Sequence, residues 1–302
     1  MEKKYEFTEE TIMIGSHTLH RIRALRDFGD IKAGDLGGFI EKEENLYHNE
    51  NAWVYDNAMV YGNAWVCEYA RVFEDAMVYG NAWVYGNASV YGDAKVFGNV
   101  RVFEDAMVYD NARVFGNASV HGDVKVFEDA EVVGNAEVFG DARVYGNAKV
   151  FGYSRVSLEA QVYGHARVFG NASVYGDAKV FGNAKIYEDA RVYGNSNLLG
   201  HASVFGNAEV FGNIKVSGNG YISNSNDILC ISYAGSGNDT MAFFKTKRTI
   251  WVTCDRFSGS IGKFEEAVNK THGDSDRAKI YHLAIEMAKT KLKRRKDHGK
   301  EV

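Results

Sequence analysis

Proline is absent from this 302-residue chain, cysteine is scarce, and no apolar run approaches the roughly 18 residues of a membrane span. Proline cannot donate a hydrogen bond within a sheet, so its absence fits a backbone that is mostly paired strand. The three cysteines, Cys67, Cys230 and Cys254, form no disulfide framework and favour reduced thiols. With neither an apolar span nor a charged-then-apolar leader, we expect a cytoplasmic protein without a membrane contact.

The chain also lacks a large excess of either charge, because it has 35 basic and 40 acidic residues and a formal net charge of −5. Such a mild balance gives no general electrostatic attraction to nucleic acid, so a nucleic acid partner is not expected. The hydrophobic fraction of 45% and the charged fraction of 25% are typical of a globular protein.

What the chain has in abundance is a six-residue repeat of the form Asn/Asp-Ala-X-Val-Tyr/Phe-Gly. It runs from Asn51 to Asn224 as 29 units without an insertion. In the unit 93–98, strand alternation puts alanine and valine on one side and the variable and aromatic residues on the other. The constant small and aliphatic residues are therefore predicted to be buried, with the glycine and the following Asn or Asp forming a corner.

Units this short can bury their apolar side only by stacking, and three units per turn predict a triangular coil of 18 residues. The fold class expected is mainly β, a solenoid of about ten coils. The pattern resembles the hexapeptide repeat of left-handed parallel β-helices, and the left hand is implied by that resemblance. We divide the chain into an N-terminal cap with an irregular first coil (1–50), the hexapeptide-repeat β-helix (51–224) and a C-terminal α+β domain (225–302).

The two flanking segments lack the repeat. Residues 18–40 predict strands and glycine turns that cap the first coil. In the C-terminal domain, three strand-like runs precede a helix over 261–271, with Ser260 as its N-cap, and a longer helix over 274–294. The basic run over 289–300 is either a solvated helix end or a contact for an acidic partner or nucleic acid.

The outward side chains change along the repeat, from tryptophan and methionine near its start to lysine and arginine further on. The first group either binds a partner or seats the N-terminal cap. The aromatic rows either stack from coil to coil or form a platform for a partner or for self-association.

Cations next to rings can hold bases or phosphates, but 19 acidic against 13 basic side chains over 51–224 favour a solvated surface of alternating charge. The candidate binding surface comprises Trp53, Met59, Trp65, Met77, Trp83, Lys95, Phe97, Arg113, Phe115, Lys149, Phe151, Arg167 and Phe169.

No catalytic residue, metal ligand or cofactor is predicted. The repeat contains His121, His165 and His201, none of which has a partner fixed by spacing. The C-terminal Cys230, Cys254, His272 and His282 lack the paired spacing of a zinc site, and no P-loop or dinucleotide fingerprint occurs.

The whole chain resembles a group of bacterial and phage hexapeptide-repeat proteins of the YdcK-like kind. The resemblance rests on the opening RIRALRDFGDIKAGDLGGFIE, the NAxVYG array and the closing WVTCDRFSGS…F…THGDS…Y…A segment. It implies a capped solenoid in a phage or prophage setting, and it brings no defined catalytic residues.

Three hypotheses of function follow from these observations. The first is a non-enzymatic binding protein that engages a host macromolecule or a nucleotide-like ligand, with counter-defence by sequestration or occlusion as one phage role. The second is an acyltransferase, an activity common among left-handed β-helices. The third is self-assembly into dimers, trimers or longer polymers through the aromatic rows. We expect a protein partner or self-association first, and a nucleotide-like ligand second.

Overall fold

The computed structural model describes residues 2–234 and 240–293. The chain begins with three strands, β1 (Tyr5–Ile14), β2 (His17–Ala24) and β3 (Leu36–Ile40), followed by a short 3-10 turn (Glu43–Asn45). The first of these strands was not predicted, and it forms the outer edge of an antiparallel hairpin with β2.

Each of the 29 hexapeptide units then forms one strand of two to four residues, as the repeat predicted. These strands are β4 (Trp53–Val54), β5 (Met59–Val60), β6 (Trp65–Val66), β7 (Arg71–Val72), β8 (Met77–Gly80), β9 (Trp83–Val84), β10 (Ser89–Val90), β11 (Lys95–Gly98), β12 (Arg101–Phe103), β13 (Met107–Val108), β14 (Arg113–Gly116), β15 (Ser119–Gly122), β16 (Lys125–Val126), β17 (Glu131–Gly134), β18 (Glu137–Gly140), β19 (Arg143–Val144), β20 (Lys149–Gly152), β21 (Arg155–Val156), β22 (Gln161–Val162), β23 (Arg167–Val168), β24 (Ser173–Val174), β25 (Lys179–Val180), β26 (Lys185–Ile186), β27 (Arg191–Val192), β28 (Asn197–Leu198), β29 (Ser203–Val204), β30 (Glu209–Val210), β31 (Lys215–Val216) and β32 (Tyr221–Ile222).

Every third strand belongs to the same sheet, so the solenoid has three faces. Face 1 contains the ten strands from β4 to β31, and face 3 contains the nine from β6 to β30. Face 2 contains the ten from β5 to β32 and continues through β3 and β2 to β1. Within the repeat the strands pair in parallel with partners 18 residues apart, as Lys95 does with Arg113. The predicted β-solenoid of about ten 18-residue coils is confirmed.

The core is built from the inward alanine and valine of each unit, as predicted. Ala94 and Val96, for example, are fully buried. Ser154 and Ser196 replace alanine in two units, and each hydroxyl donates to a backbone carbonyl three residues earlier at 2.9 Å. The buried polar groups at these two positions are therefore satisfied within the corner.

Some units have Glu or Asp in place of the glycine at the corner, and the structure shows how these residues are accommodated. These residues adopt positive φ, as Glu68 does at 60°. The Glu68 carboxylate accepts a hydrogen bond from the N–H of Gly86 in the next coil at 2.8 Å, and Glu74 and Glu188 accept equivalent bonds from Gly92 and Gly206. A charge-assisted bond to the next coil offsets the strain of a left-handed corner.

The outward rings stack in rows along each face, which confirms the stacking interpretation. Tyr79 and Phe97 on face 2 lie 4.8 Å apart with an interplanar angle of 2°. The row is interrupted at Val133, which the strand register places between Phe115 and Phe151.

Replacing Val133 with phenylalanine is therefore expected to raise the free energy of unfolding by about 1–2 kcal/mol, because two new ring pairs form. Urea unfolding monitored by circular dichroism measures the change. Val133→Ile is the control, since it adds apolar volume without a ring. Equal effects of the two substitutions would contradict the prediction.

The N-terminal end of the solenoid is closed by side-chain donors. In later coils the alanine carbonyl accepts from the preceding coil, as when Trp53 N–H donates to Ala70 at 3.1 Å. No coil precedes Ala52, and its carbonyl accepts from Lys4 Nζ at 2.7 Å. The Lys4 side chain is fully buried to make this bond.

The C-terminal end is covered by a small domain with an antiparallel sheet and two helices. Its elements are β33 (Ile228–Ile231), β34 (Met241–Lys245), β35 (Ile250–Cys254), β36 (Phe257–Ser260), α1 (Ile261–His272) and α2 (Asp276–Lys291). The sheet closes the last coil: Phe244 joins the solenoid core, and Thr253 Oγ1 donates to the carbonyl of Lys215 at 2.5 Å.

Most of the C-terminal predictions are confirmed. The strand-like runs are β33 to β35, and Ser260 caps α1. The second helix begins at Asp276, two residues later than predicted, because the Ser275 hydroxyl caps it by accepting from Ala278 N–H. The strand β36 was missed, and most of the basic run, residues 294–300, lies outside the described residues.

No helix in the described part of the chain is long and apolar enough to cross a membrane.

Candidate binding surface

The first strands of face 3 carry a row of aromatic side chains that ends in an arginine. The parallel register places Trp83 beside Trp65 on one side and beside Arg101 on the other. The two indoles meet edge to face with centroids 5.4 Å apart, and Tyr47 meets Trp65 in the same way at 5.9 Å. The sequence predicted that the two tryptophans are adjacent, and this is confirmed.

The N-terminal cap builds a wall beside this row. The 3-10 turn is fixed over face 3 because Asn45 Nδ2 donates to the carbonyls of Ala64 at 2.8 Å and Gly62 at 3.2 Å. The turn brings Lys42 and Glu44 to the edge of a cavity of about 310 Å³, which Trp65 and Trp83 also line.

Trp83 is the exposed member of the row. Its exposed fraction is 46%, whereas Trp65 is partly covered by its neighbours on both sides. Arg101, the next residue along the row, makes no ion pair with the described residues. Lys42 Nζ in the cavity wall is held by Asn63 Oδ1 at 2.9 Å. The surface therefore presents one large exposed indole next to one uncommitted guanidinium.

Trp53 was predicted to lie on the binding surface, and this prediction is wrong. Its side chain is fully buried, with Phe28 at 5.3 Å and Tyr5 at 6.2 Å between ring centroids. As a member of the first coil, Trp53 lies under the N-terminal cap, which covers the outward side of its strand. Trp53 therefore seats the N-terminal cap, which was one of the two interpretations of the apolar group. Trp83 stays exposed and available to a partner.

Ten of the other predicted residues lie together on face 2. Met59, Met77, Lys95 and Arg113 form one row of this face, and Lys149 and Arg167 continue it. Phe97, Phe115, Phe151 and Phe169 belong to the ring row beside it. Met59 itself packs against a cluster beneath the cap.

Acidic groups interrupt the cations of face 2. The first part of the row lines a groove of about 690 Å³, but Asp75 and Asp93 line the same groove. Further along, Glu131 pairs with Lys149 at 2.7 Å and lies 3.8 Å from Arg113. The row therefore forms no continuous positive strip.

His121 has a partner that the sequence did not reveal. Its ring is stacked between Phe103 and Phe139, with centroids 4.6 and 5.4 Å away. Its Nδ1 lies 3.5 Å from a carboxylate oxygen of Glu104, so the expectation of no neighbouring partner is wrong. The two residues are 17 positions apart, one short of a full coil, because the glutamate occupies the corner after the ring position. With both ring faces covered, only the edge of the imidazole is accessible.

The C-terminal domain contains another cavity of about 690 Å³, lined in part by Phe257, Phe264, His272 and Tyr281. Among the described residues, no group of three or more His, Cys, Asp or Glu side chains is arranged to hold a metal ion.

The three parallel faces and the 18-residue register define this chain as a β-solenoid protein. The model of the YdcK β-solenoid repeat matches residues 52–68, 106–122 and 160–176, whose starts are three coils apart. The chain thus carries the YdcK β-solenoid repeat, and the resemblance predicted from the NAxVYG array is confirmed for that repeat. A comparison with curated proteins gives no match.

Proposed function

We propose that this protein is a non-enzymatic binding scaffold that docks a protein partner through Trp83 and its neighbours on face 3. The observation that carries the proposal is the exposed indole of Trp83, since every other tryptophan of the repeat is buried or partly covered. In the following coils this position carries arginine, serine or glutamate, so the solenoid itself does not require an indole there.

The composition of the surface favours a protein partner. Tryptophan, tyrosine and arginine dominate the binding energy of protein interfaces, where they act as rigid anchors. Here Trp83 projects beside Arg101, and the cap supplies Lys42 and Glu44 as a polar rim.

A nucleotide-like ligand fits this site less well. The cavity of about 310 Å³ is at the lower limit of small-molecule sites. A phosphate group would meet the carboxylate of Glu44 in the same wall, and Lys42 is already held by Asn63. In the phage or prophage setting that the resemblance implies, the partner would be a host macromolecule in the host cytoplasm, and sequestration or occlusion would be the mode of action.

Replacing Trp83 with serine is expected to weaken partner binding by about 30-fold or more, the effect of losing an interface hot spot. Affinity capture with the full chain identifies the partner, and calorimetry with the purified partner measures the dissociation constant. Phe211→Ser is the matched control, because Phe211 is an exposed ring at the other end of face 3.

Two results would contradict the proposal. One is capture of no specific protein by the native chain, and the other is equal affinity of Trp83→Ser and native protein. Saturable binding of acyl-CoA, lost on substitution of His121, would instead favour the acyltransferase alternative.

A further inference from the structure

The C-terminal domain has a cavity that the proposed function does not use. Its volume of about 690 Å³ is within the range of small-molecule sites, and its lining comes from the turn between β35 and β36, from α1 and from α2. Every lining residue except Ala267 and Val268 belongs to the closing segment WVTCDRFSGS…F…THGDS…Y…A. Residues that are scattered along this segment of the sequence are therefore gathered around one cavity.

Four rings in contact form the aromatic floor of this cavity. The centroid of Phe264 lies 5.0 Å from that of Phe257 and 5.6 Å from that of Tyr281, and His272 lies 5.4 Å from Tyr281. Phe264 and Tyr281 are buried in the domain core, whereas Phe257 and His272, at the two ends of the series, are only partly buried. The two outer rings therefore leave aromatic surface against which a planar group can stack.

Three hydrogen-bond donors around the cavity are unused. Arg256, in the turn next to Phe257, is exposed, and its guanidinium makes no ion pair or hydrogen bond with the residues that the structure describes. The hydroxyl of Thr271 and the ring nitrogens of His272 have no hydrogen-bond partner among those residues either. A guanidinium with two further donors suits a phosphate, whose three terminal oxygens point in different directions.

The cavity also offers hydrogen-bond acceptors, so its ligand needs donors as well as an anionic group. Asp255 is the one acidic residue of the lining, and a carboxylate has room for several hydrogen bonds. The helix α1 ends here at His272, and the last carbonyl groups of a helix lack partners within it. Ribose hydroxyls and the amino group of a base are donors that match these acceptors. A simple aromatic carboxylate has no such donors.

We propose that this cavity binds a nucleoside monophosphate, with the base against the aromatic floor and the phosphate on Arg256, Thr271 and His272. Asp255 and the end of α1 accept hydrogen bonds from the ribose or the base. With about 690 Å³ against about 310 Å³ for the cavity on face 3, this cavity has room for the base and the phosphate together. Side chains provide the recognition, so no glycine-rich phosphate loop is required.

Isothermal titration calorimetry of the full chain tests the proposal, with adenosine, guanosine, cytidine and uridine monophosphate as the probes. At least one of the four is expected to bind saturably. The corresponding nucleoside, which lacks the phosphate, is expected to bind about tenfold or more weakly, because it loses the charge-assisted bonds to Arg256. Trp83→Ser is expected to bind the same nucleotide like the native chain, so this test is independent of the partner on face 3.

Two substitutions separate the phosphate from the base. Arg256→Ala is expected to weaken binding of the nucleotide by about tenfold or more and to leave binding of the nucleoside unchanged. Phe257→Leu removes a ring but keeps apolar volume, so it is expected to weaken binding of both ligands by a similar factor. Arg248→Ala is the matched control, because Arg248 is an exposed arginine of the same domain that does not line the cavity.

Three results would overturn the proposal. The first is that none of the four nucleotides binds saturably to the native chain, and the second is that nucleotide and nucleoside bind with equal affinity. The third is an Arg256→Ala variant that binds the nucleotide as tightly as the Arg248→Ala control. Since both arginines are exposed, neither substitution removes a buried contact, and urea unfolding of the two variants checks that both are folded.

Discussion

The native protein is expected to become more stable between about pH 7 and about pH 9, and Lys4→Met is expected to abolish that rise. Burial lowers the pKa of Lys4 to about 7 from its ordinary value of 10.5. The positive charge of Arg26 lowers it further, while Glu50 and Cys67 act in the opposite direction. The Lys4 side chain has no access to solvent, because it is buried beneath the cap and its Nζ donates a hydrogen bond to the Ala52 carbonyl.

The sign of the effect follows from the protons bound in each state. Above about pH 7 the folded chain has released the Lys4 proton, whereas the unfolded chain retains it until about pH 10.5. The unfolded state then binds more protons, so the free energy of unfolding increases with pH by about 1.4 kcal/mol per unit. From pH 7 to pH 9 the gain is about 2 kcal/mol, because half of the folded molecules have already lost the Lys4 proton at pH 7.

The pH window separates Lys4 from groups that act in the opposite sense. Burial raises the pKa of Cys67 from 9.0 to about 12 and the pKa of Tyr55 from 10.0 to about 12. Both groups stay protonated in the folded chain after the unfolded chain has lost their protons, so they reduce stability above about pH 9. The increase in the free energy of unfolding that is due to Lys4 should therefore be measured below about pH 9.

Urea unfolding at several pH values measures the effect, with Lys95→Met as the control because Lys95 is an exposed lysine of the repeat. The control variant should keep the rise. A native protein whose stability is flat between these pH values would show that Lys4 keeps its proton when buried.

Replacing Gly98 with alanine is expected to lower the free energy of unfolding by about 3 kcal/mol or more. The φ of Gly98 is 89°, and a Cβ atom there would lie 2.7 Å from the carbonyl oxygen of Gly116 in the next coil. Neither atom can move freely, because both belong to paired backbone of β11 and β14. The cost combines left-handed strain with a clash that displaces the neighbouring coil.

Gly212 offers a control that separates the two contributions. Its φ of 87° is nearly the same, but no atom lies within 4 Å of its Cβ position. Gly212→Ala is therefore expected to cost about 1 kcal/mol, from strain alone. Equal losses for the two variants in urea unfolding would show that the close approach of the coils contributes nothing.

The six-residue repeat predicts the conformation of its corners only in part. Gly98 and the position of Glu68 are equivalent in the six-residue pattern, yet one tolerates a side chain and the other does not. The acidic corners have φ between 50° and 60°, which L-residues adopt, whereas Gly98 is near 90°. The sequence does not encode this difference locally, because the same corner position of the six-residue pattern adopts both values of φ.

The proposed binding surface was predictable only in part. The sequence indicated the apolar start of the repeat and the adjacency of Trp65 and Trp83, because a fixed period determines which residues are neighbours one coil apart. It could not distinguish Trp53 from Trp83. That distinction depends on which tryptophan the cap covers, and the cap has no period.

The sequence by itself determined the parts of this protein that repeat: the 18-residue coil, the buried alanine and valine, the stacked rings and the strand at every sixth residue. Their physical basis is that each unit can bury its apolar side only against the units before and after it. Only the tertiary structure decided the ends and the exceptions, such as Lys4 as a donor to Ala52 and Glu104 beside His121. Lys4 and Ala52 belong to segments whose separation in sequence follows no repeat, and the contact of Glu104 with His121 depends on the direction of two side chains at a corner, so the period alone predicts neither contact.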